Sequence, residues 1–275
     1  MANENSPEPS YTLYVYYTRY SSWGVRAQLI LEYFNIPYKV QYFNYTIPAL
    51  TPPHELTTLP VLDVSPAPGA IASSSEEESP LRIPDSLAIA EFLADQHPEK
   101  NLWPADPQLR ALARVAAAQM HSGFAALRDA YPSNFVSRFT GPGIPFPEAV
   151  AKDVAKLLAL WHRVRVASSK RLRELGETDQ GFLCGGFSIA DAFFWPVLWR
   201  LRSYNVPLAG STDEARKWMA TMWNHPVMKA QGKEYFRQAR DSQSHFGVYD
   251  DLFKATSDVT SGTFSEDWVF DGDIA

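Results

Sequence analysis

Ser21 and Ser22 stand between an apolar, strand-like run and the first helical pattern. A hydroxyl at a helix N-terminus can donate to a thiolate, and that location lowers a thiol pKa from about 8.5 toward roughly 3.5–7.5. A second segment, Leu59-Pro60-Val61, opens a strand with a residue that cannot donate to the ladder. Were the Leu59–Pro60 bond cis, the preceding main chain would face outward and could pair with an extended peptide. A third segment, Asp85-Ser86, precedes a helical run. There Ser86 can cap the helix, a free carboxylate can sit at its N-terminus, and Asp85 can accept from an ammonium group. Each segment also has an ordinary reading: a helix cap at Ser21 or Ser22, a trans proline starting a strand, and a simple cap at Ser86.

The elements that would position these residues follow in order. Tyr11–Tyr17 is rich in β-formers and reads as a strand. Apolar positions 23, 27, 30 and 34 recur at helical spacing, with the helix ending near Asn35. Tyr38–Tyr45 reads as a second strand, so the chain opens β-α-β with a crossover long enough for parallel pairing. Leu59–Val64 and Leu81–Ile83 read as a hairpin around a low-complexity acidic insertion, 65–80. A helix then presents Leu87, Ala90 and Leu93 on one face. Beyond a linker at 97–107 the patterns are helical. Leu109, Leu112, Ala116, Met120, Phe124 and Leu127 form one stripe; Val150, Val154, Leu157, Trp161 and Val164 form another. Ser188-Ile189-Ala190-Asp191 has the capping-box pattern before a third helix, and 212–223 reads as a fourth. The expected fold is an α/β N-terminal domain at 11–100, an all-α bundle at 107–240, and an acidic C-terminal tail at 241–275.

The whole chain has 275 residues, 25 Lys plus Arg against 31 Asp plus Glu, and a net charge of −6. The segment from Val248 holds acids at 250, 251, 258, 266, 267, 271 and 273 against the single Lys254, so the remainder is formally neutral. No clustered basic surface is evident, which argues against nucleic-acid binding driven by net charge. The one cysteine, Cys184, allows neither an intramolecular disulfide nor a cysteine-based metal cluster, and no metal site is expected. The first ten residues are polar, and the longest apolar run, 192–199, is far short of the ~20 residues a membrane span needs. The expectation is a cytoplasmic protein without a membrane partner.

The β-α-β start, the TTLPVL turn, DSLAIAEFL and the later FSIADAFF, taken in this order, resemble the cytosolic glutathione transferases over about residues 11–240. SSWGVRAQLILEYFNIPY is most similar to serine-type members with an SSWS-like helix start, Gly24 standing in place of the usual Ser. The resemblance implies a thioredoxin-like N-terminal domain with glutathione as co-substrate, and a homodimer. It places Ser21 at the thiolate-activating position, with Ser22 the alternative, and makes Trp23 part of the glutathione site. It makes Pro60 the cis-proline, pairs Leu59 with the cysteinyl main chain, and gives the γ-glutamyl end to Asp85 and Ser86. Tyr16, Tyr17 and Tyr20 keep a tyrosine-type mechanism open.

An electrophile pocket is expected beside the first long helix of the second domain. His121 and Arg128, seven apart and so on one face, are candidates to orient a small electrophile, with Phe124 as pocket wall or core. The ordinary reading has His121 packed and Arg128 in an interface salt bridge. Three functions fit: conjugation of glutathione to an apolar electrophile, in detoxification or secondary metabolism; a glutathione-dependent isomerase; or a non-catalytic binding protein.

Overall fold

Central to the N-terminal sheet is β1 (Ser10–Tyr16), whose alternating residues Tyr11, Leu13 and Val15 point into the core. The structure is a computed structural model that describes residues 10–66 and 80–270. The polar leader at 1–9, most of the acidic insertion, 67–79, and 271–275 lie outside the described residues. After β1 come α1 (Ser22–Tyr33) and β2 (Lys39–Phe43). β2 pairs parallel to β1, with Leu13 opposite Val40. β3 (Val61–Ser65) runs antiparallel to β1 on its other side, and β4 (Leu81–Pro84) runs antiparallel to β3. The order β2-β1-β3-β4, with α1 and α2 (Ser86–Gln96), is the expected thioredoxin-like arrangement.

Two of the boundaries that differ from the sequence reading bear on the site. β3 begins at Val61, so Leu59 and Pro60 precede the paired strand rather than lie within it. At α2 the cap is Asp85, not Ser86: Asp85 Oδ1 accepts from the Leu87 and Ala88 amides at 2.7 and 3.1 Å, leaving Ser86 as the first helical residue.

The second domain holds α3 (Pro107–Ser122), α4 (Ala125–Ala130), α5 (Glu148–Leu175), α6 (Ile189–Ser203), α7 (Asp213–Asn224) and α8 (Pro226–Arg240). Every residue of α6 is buried, its mostly apolar length forming the core of the bundle, with Asp191 in its first turn and Arg200 and Arg202 in its last. It packs against α1, where Arg26 Nε donates to the Phe193 carbonyl at 3.0 Å. The capping box forms around Asp191, which accepts from the Ser188 amide and hydroxyl at 3.0 and 3.1 Å, and also from the Leu183 amide and the Trp218 indole, both at 2.9 Å. The Phe187 ring, just before this box, stacks on Tyr33 at 3.8 Å.

The stripe read as one long helix from Leu109 to Leu127 is broken. α3 stops at Gly123, where a Cβ would sit 2.5 Å from the Gln119 carbonyl oxygen, and Phe124 takes a left-handed φ of 56°. α4 then restarts, its Leu127 amide held by Asp153 of α5.

The second domain is also not wholly helical. Within the Pro/Gly-rich stretch, β5 (Ser137–Thr140) pairs antiparallel with β6 (Thr260–Thr263) from the acidic tail. That tail lies on the body. Trp268 packs edge-on to Trp223 at 4.8 Å, and the Arg202 guanidinium sits over Phe264, Trp199 and Trp268 at 3.9, 4.1 and 4.7 Å. No helix among the described residues is long and apolar enough to cross a membrane.

Candidate functional site

A cleft of about 440 Å³ opens where the N-terminus of α1 meets α4, α6 and the segment after α8. Ser21, Ser22, Trp23 and Leu59 line it together with Arg128, Arg200, Tyr16, Tyr20, Tyr45, Phe246 and Tyr249. The two serines sit at the positive end of a 12-residue helix, where main-chain N–H groups and the helix dipole favour an anion. Ser21 caps α1, its Oγ accepting from the Gly24 amide at 3.3 Å. That turn is tight: a Cβ on Gly24 would meet Val15 Cγ1 at 2.9 Å and Ser21 Oγ at 3.0 Å, so the Gly in place of the usual Ser keeps the cap against β1. Ser22 is nearly buried, and its Oγ accepts from Arg200 Nη2 at 3.2 Å.

On the sheet side, the Leu59–Pro60 peptide is cis. Beyond Trp23 the site continues to the start of α2. The Trp23 and His121 rings meet edge to face at 5.3 Å, and His121 Nε2 lies 3.3 Å from Asp85 Oδ2. Asp85 has a φ of 80°, a left-handed conformation that few residues other than glycine adopt. Beside it the Ser86 hydroxyl is buried with no hydrogen-bond partner among the described residues. An orphaned buried hydroxyl at a helix N-terminus is a donor waiting for an acceptor, such as a carboxylate.

The structure thus brings Ser21, Ser22, Trp23, Leu59 and Arg128 to one cleft and places His121, Asp85 and Ser86 along its Trp23 edge. His121 and Arg128 do not share one helix face, because α3 ends between them. They meet on Trp23 instead, with the Arg128 guanidinium 5.3 Å from the indole. Phe124 is not in the cleft; it is buried beside a different cavity with Gln119, Asp153 and Lys156.

Of the tyrosines, Tyr20 donates to Asp250 Oδ2 at 2.5 Å, and burial, then that carboxylate, drive its pKa far up. Tyr17 donates to Asp241, and burial raises its pKa too. Tyr16 lines the cleft, its pKa raised by burial and by Tyr45. Cys184 is buried in the second domain, where burial pushes its thiol up to about 12, leaving it protonated and unreactive at neutral pH.

Two groups escaped the sequence reading. Arg200 comes from the last turn of α6, directly after its apolar run. Asp250, at the end of the short helix α9 (Gly247–Asp250), joins Arg19, Tyr20, Asn134 and His245 at 2.5 to 3.1 Å. It anchors the segment that carries Phe246 and Tyr249 into the cleft wall.

The comparisons agree with this architecture. Residues 110–221 match the family described as the glutathione S-transferase C-terminal domain. No curated protein matches the chain in sequence. Among solved structures, glutathione transferase Omega 2C from Trametes versicolor is 20% identical with a TM-score of 0.56, over 84% of this chain and 99% of that one. Ure2p in complex with glutathione is 17% identical with a TM-score of 0.55, over 81% and 98%. A glutathione transferase homolog from Burkholderia GL BGR1 with bound glutathione is 21% identical with a TM-score of 0.53, over 85% and 99%. The chain therefore has the fold of the glutathione transferases, and its helical domain matches the C-terminal domain of that family.

Proposed function

We propose that the protein is a glutathione transferase that holds the glutathione thiolate at the N-terminus of α1 and directs it at a small apolar electrophile. The observation that carries this reading is the meeting, in one cleft, of the serine pair that starts α1 with Leu59, next to the cis-proline. In this reading the cysteinyl main chain lies along Leu59. The γ-glutamyl carboxylate takes the Ser86 hydroxyl at the start of α2, and Asp85 accepts from the γ-glutamyl ammonium. The structures of Ure2p and the Burkholderia homolog, which hold glutathione in the same fold, support it.

The chemistry needs no protein nucleophile. Glutathione's thiol loses its proton to solvent, a serine hydroxyl donates to the resulting anion, and sulfur attacks the electrophilic carbon as the leaving group departs. Each unit by which the thiol pKa falls raises the anion's share at neutral pH up to tenfold. Holding both reactants in one cleft supplies the remaining acceleration through proximity.

The test is calorimetric titration with glutathione followed by turnover of 1-chloro-2,4-dinitrobenzene. Binding is expected, with stoichiometric loss of glutathione and release of chloride. Ser86→Ala should weaken glutathione binding by about 1–2 kcal/mol, roughly ten-fold, because a bound carboxylate loses a charge-assisted hydrogen bond. Failure of the wild-type protein to bind glutathione would remove this reading. Recovery of glutathione unchanged after turnover of a cis–trans isomerisable substrate would replace conjugation with reversible addition.

A further inference from the structure

Arg200 lies in the last turn of α6 and reaches the cleft, and among the described residues its guanidinium has no carboxylate partner. Its Nε donates to the Tyr131 carbonyl at 2.9 Å, Nη2 donates to Ser22 Oγ at 3.2 Å, and Nη1 is buried with no partner. Two further guanidiniums stand close by. Arg26 is fully buried, stacked on Trp23 at 4.1 Å with both terminal nitrogens unpartnered among the described residues, and Arg128 lies 5.3 Å from the same indole. The carboxylates facing this group are Asp85, whose charge favours the Arg26 cation, and Asp129 on the cleft wall; Tyr204 and Tyr249 face Arg200. A buried cation without a counter-charge is costly. Here burial lowers the Arg200 pKa to about 10, which still leaves it charged at neutral pH. A cation held in this way suits a site that is completed by a bound anion.

The two serines are not equivalent in this field. A hydroxyl has one proton to donate and two lone pairs to accept with. Ser21 Oγ accepts from a neutral amide. Ser22 Oγ accepts from a guanidinium, a charge-assisted bond that draws density from the oxygen and makes its remaining proton a stronger donor. Among the described residues that proton has no acceptor.

Building on the glutathione-transferase reading, we propose that Arg200 is the positioning residue of the thiolate site, orienting and polarising Ser22 so that Ser22, rather than Ser21, donates to the sulfur anion. Arg200 acts through Ser22 and by its charge, and touches no reacting atom.

The test measures the pH at which bound glutathione forms its thiolate, read from the ultraviolet absorbance of the anion, in the full-length protein. Ser22→Ala and Arg200→Met are each expected to raise that midpoint by about one unit, a roughly tenfold loss of anion, with glutathione affinity measured at low pH little changed. The double variant should move no further than the larger single effect, and Arg200→Lys should recover part of the loss. A structural role confined to holding the Tyr131 carbonyl would leave the midpoint where it is. An unchanged midpoint in Arg200→Met, or full additivity in the double variant, overturns the proposal. Should Arg200→Met fail to fold, Ser22→Ala against Ser21→Ala decides: a larger shift from Ser22 supports the proposal, and a larger shift from Ser21 overturns it. A wild-type protein that binds glutathione but leaves its thiol pKa unperturbed overturns this inference alone; one that binds none overturns the glutathione-transferase reading as well.

Discussion

Tyr20 stands on the cleft wall beside Ser21, and its phenol is of the right kind to meet a sulfur anion. What prevents this is the 2.5 Å bond it donates to Asp250. A phenol has one proton, and a carboxylate is a stronger acceptor than water or a thiol. Tyr20→Phe is therefore expected to leave the pH of thiolate formation within about 0.3 units of wild type, while lowering stability by about 1–3 kcal/mol for the lost bond to a charged acceptor. A rise of a full unit in the thiol pKa would instead make Tyr20 the donor. Ser86 is the converse: its buried hydroxyl has no partner among the described residues, and in the proposed reading a bound carboxylate completes it.

Elements, rather than single side chains, set the precision of the site. α6 is the axis of the second domain, and Asp191 fixes its start by gathering the Leu183 amide, the Ser188 amide and hydroxyl, and the Trp218 indole. Asp191→Ala would strand three buried N–H groups, each costing about 1–3 kcal/mol when unmade. A loss of at least about 3 kcal/mol is expected in urea denaturation, and a loss under 1 kcal/mol would show that water replaces the carboxylate. The sequence displays this box because its parts are three residues apart. It displays the Leu-Pro turn and the Asp-Ser helix start for the same reason: turn and cap chemistry is local. The break at Gly123 was harder to see, since the apolar stripe continues across it; the backbone turns there so close to the Gln119 carbonyl that only a residue without a Cβ fits. Arg200 and Asp250 were not legible at all. Their partners Ser22 and Tyr20 lie 178 and 230 residues away, and nothing in an apolar helix or an acidic tail announces a contact that only the tertiary fold makes. The pairing of β5 with β6 was hidden likewise: four exposed residues of the tail, Thr260–Thr263, carry no strand pattern of their own.

At the scale of the whole molecule, burial shifts many weak acids in one direction. Cys184 and Tyr131 are each pushed up to about 12, and Tyr38, Tyr204 and Tyr235 are raised as well. The folded-state pKa exceeds the unfolded one in every case. The unfolded chain therefore loses these protons first, and the stability they contribute is complete below about 9 and lost as pH climbs from there toward 12. The urea midpoint is expected to fall steadily between about pH 9 and pH 11; a midpoint that stays flat or rises would show these groups to be solvated in the native state.

The segment after Arg240 ties the two domains to each other. Asn44 of the first domain donates to the Gln243 and His245 carbonyls at 2.7 and 3.2 Å, and Asp250 reaches Arg19 and Asn134. Phe246 and Tyr249 thus form a wall of the cleft although they follow α8. A nascent chain that has emerged from the ribosome only as far as Arg240 already holds both serines, Leu59 and Arg200, yet its groove lacks that wall. Competence arrives late in translation, so that a half-made copy has an open, unlatched groove rather than a finished pocket.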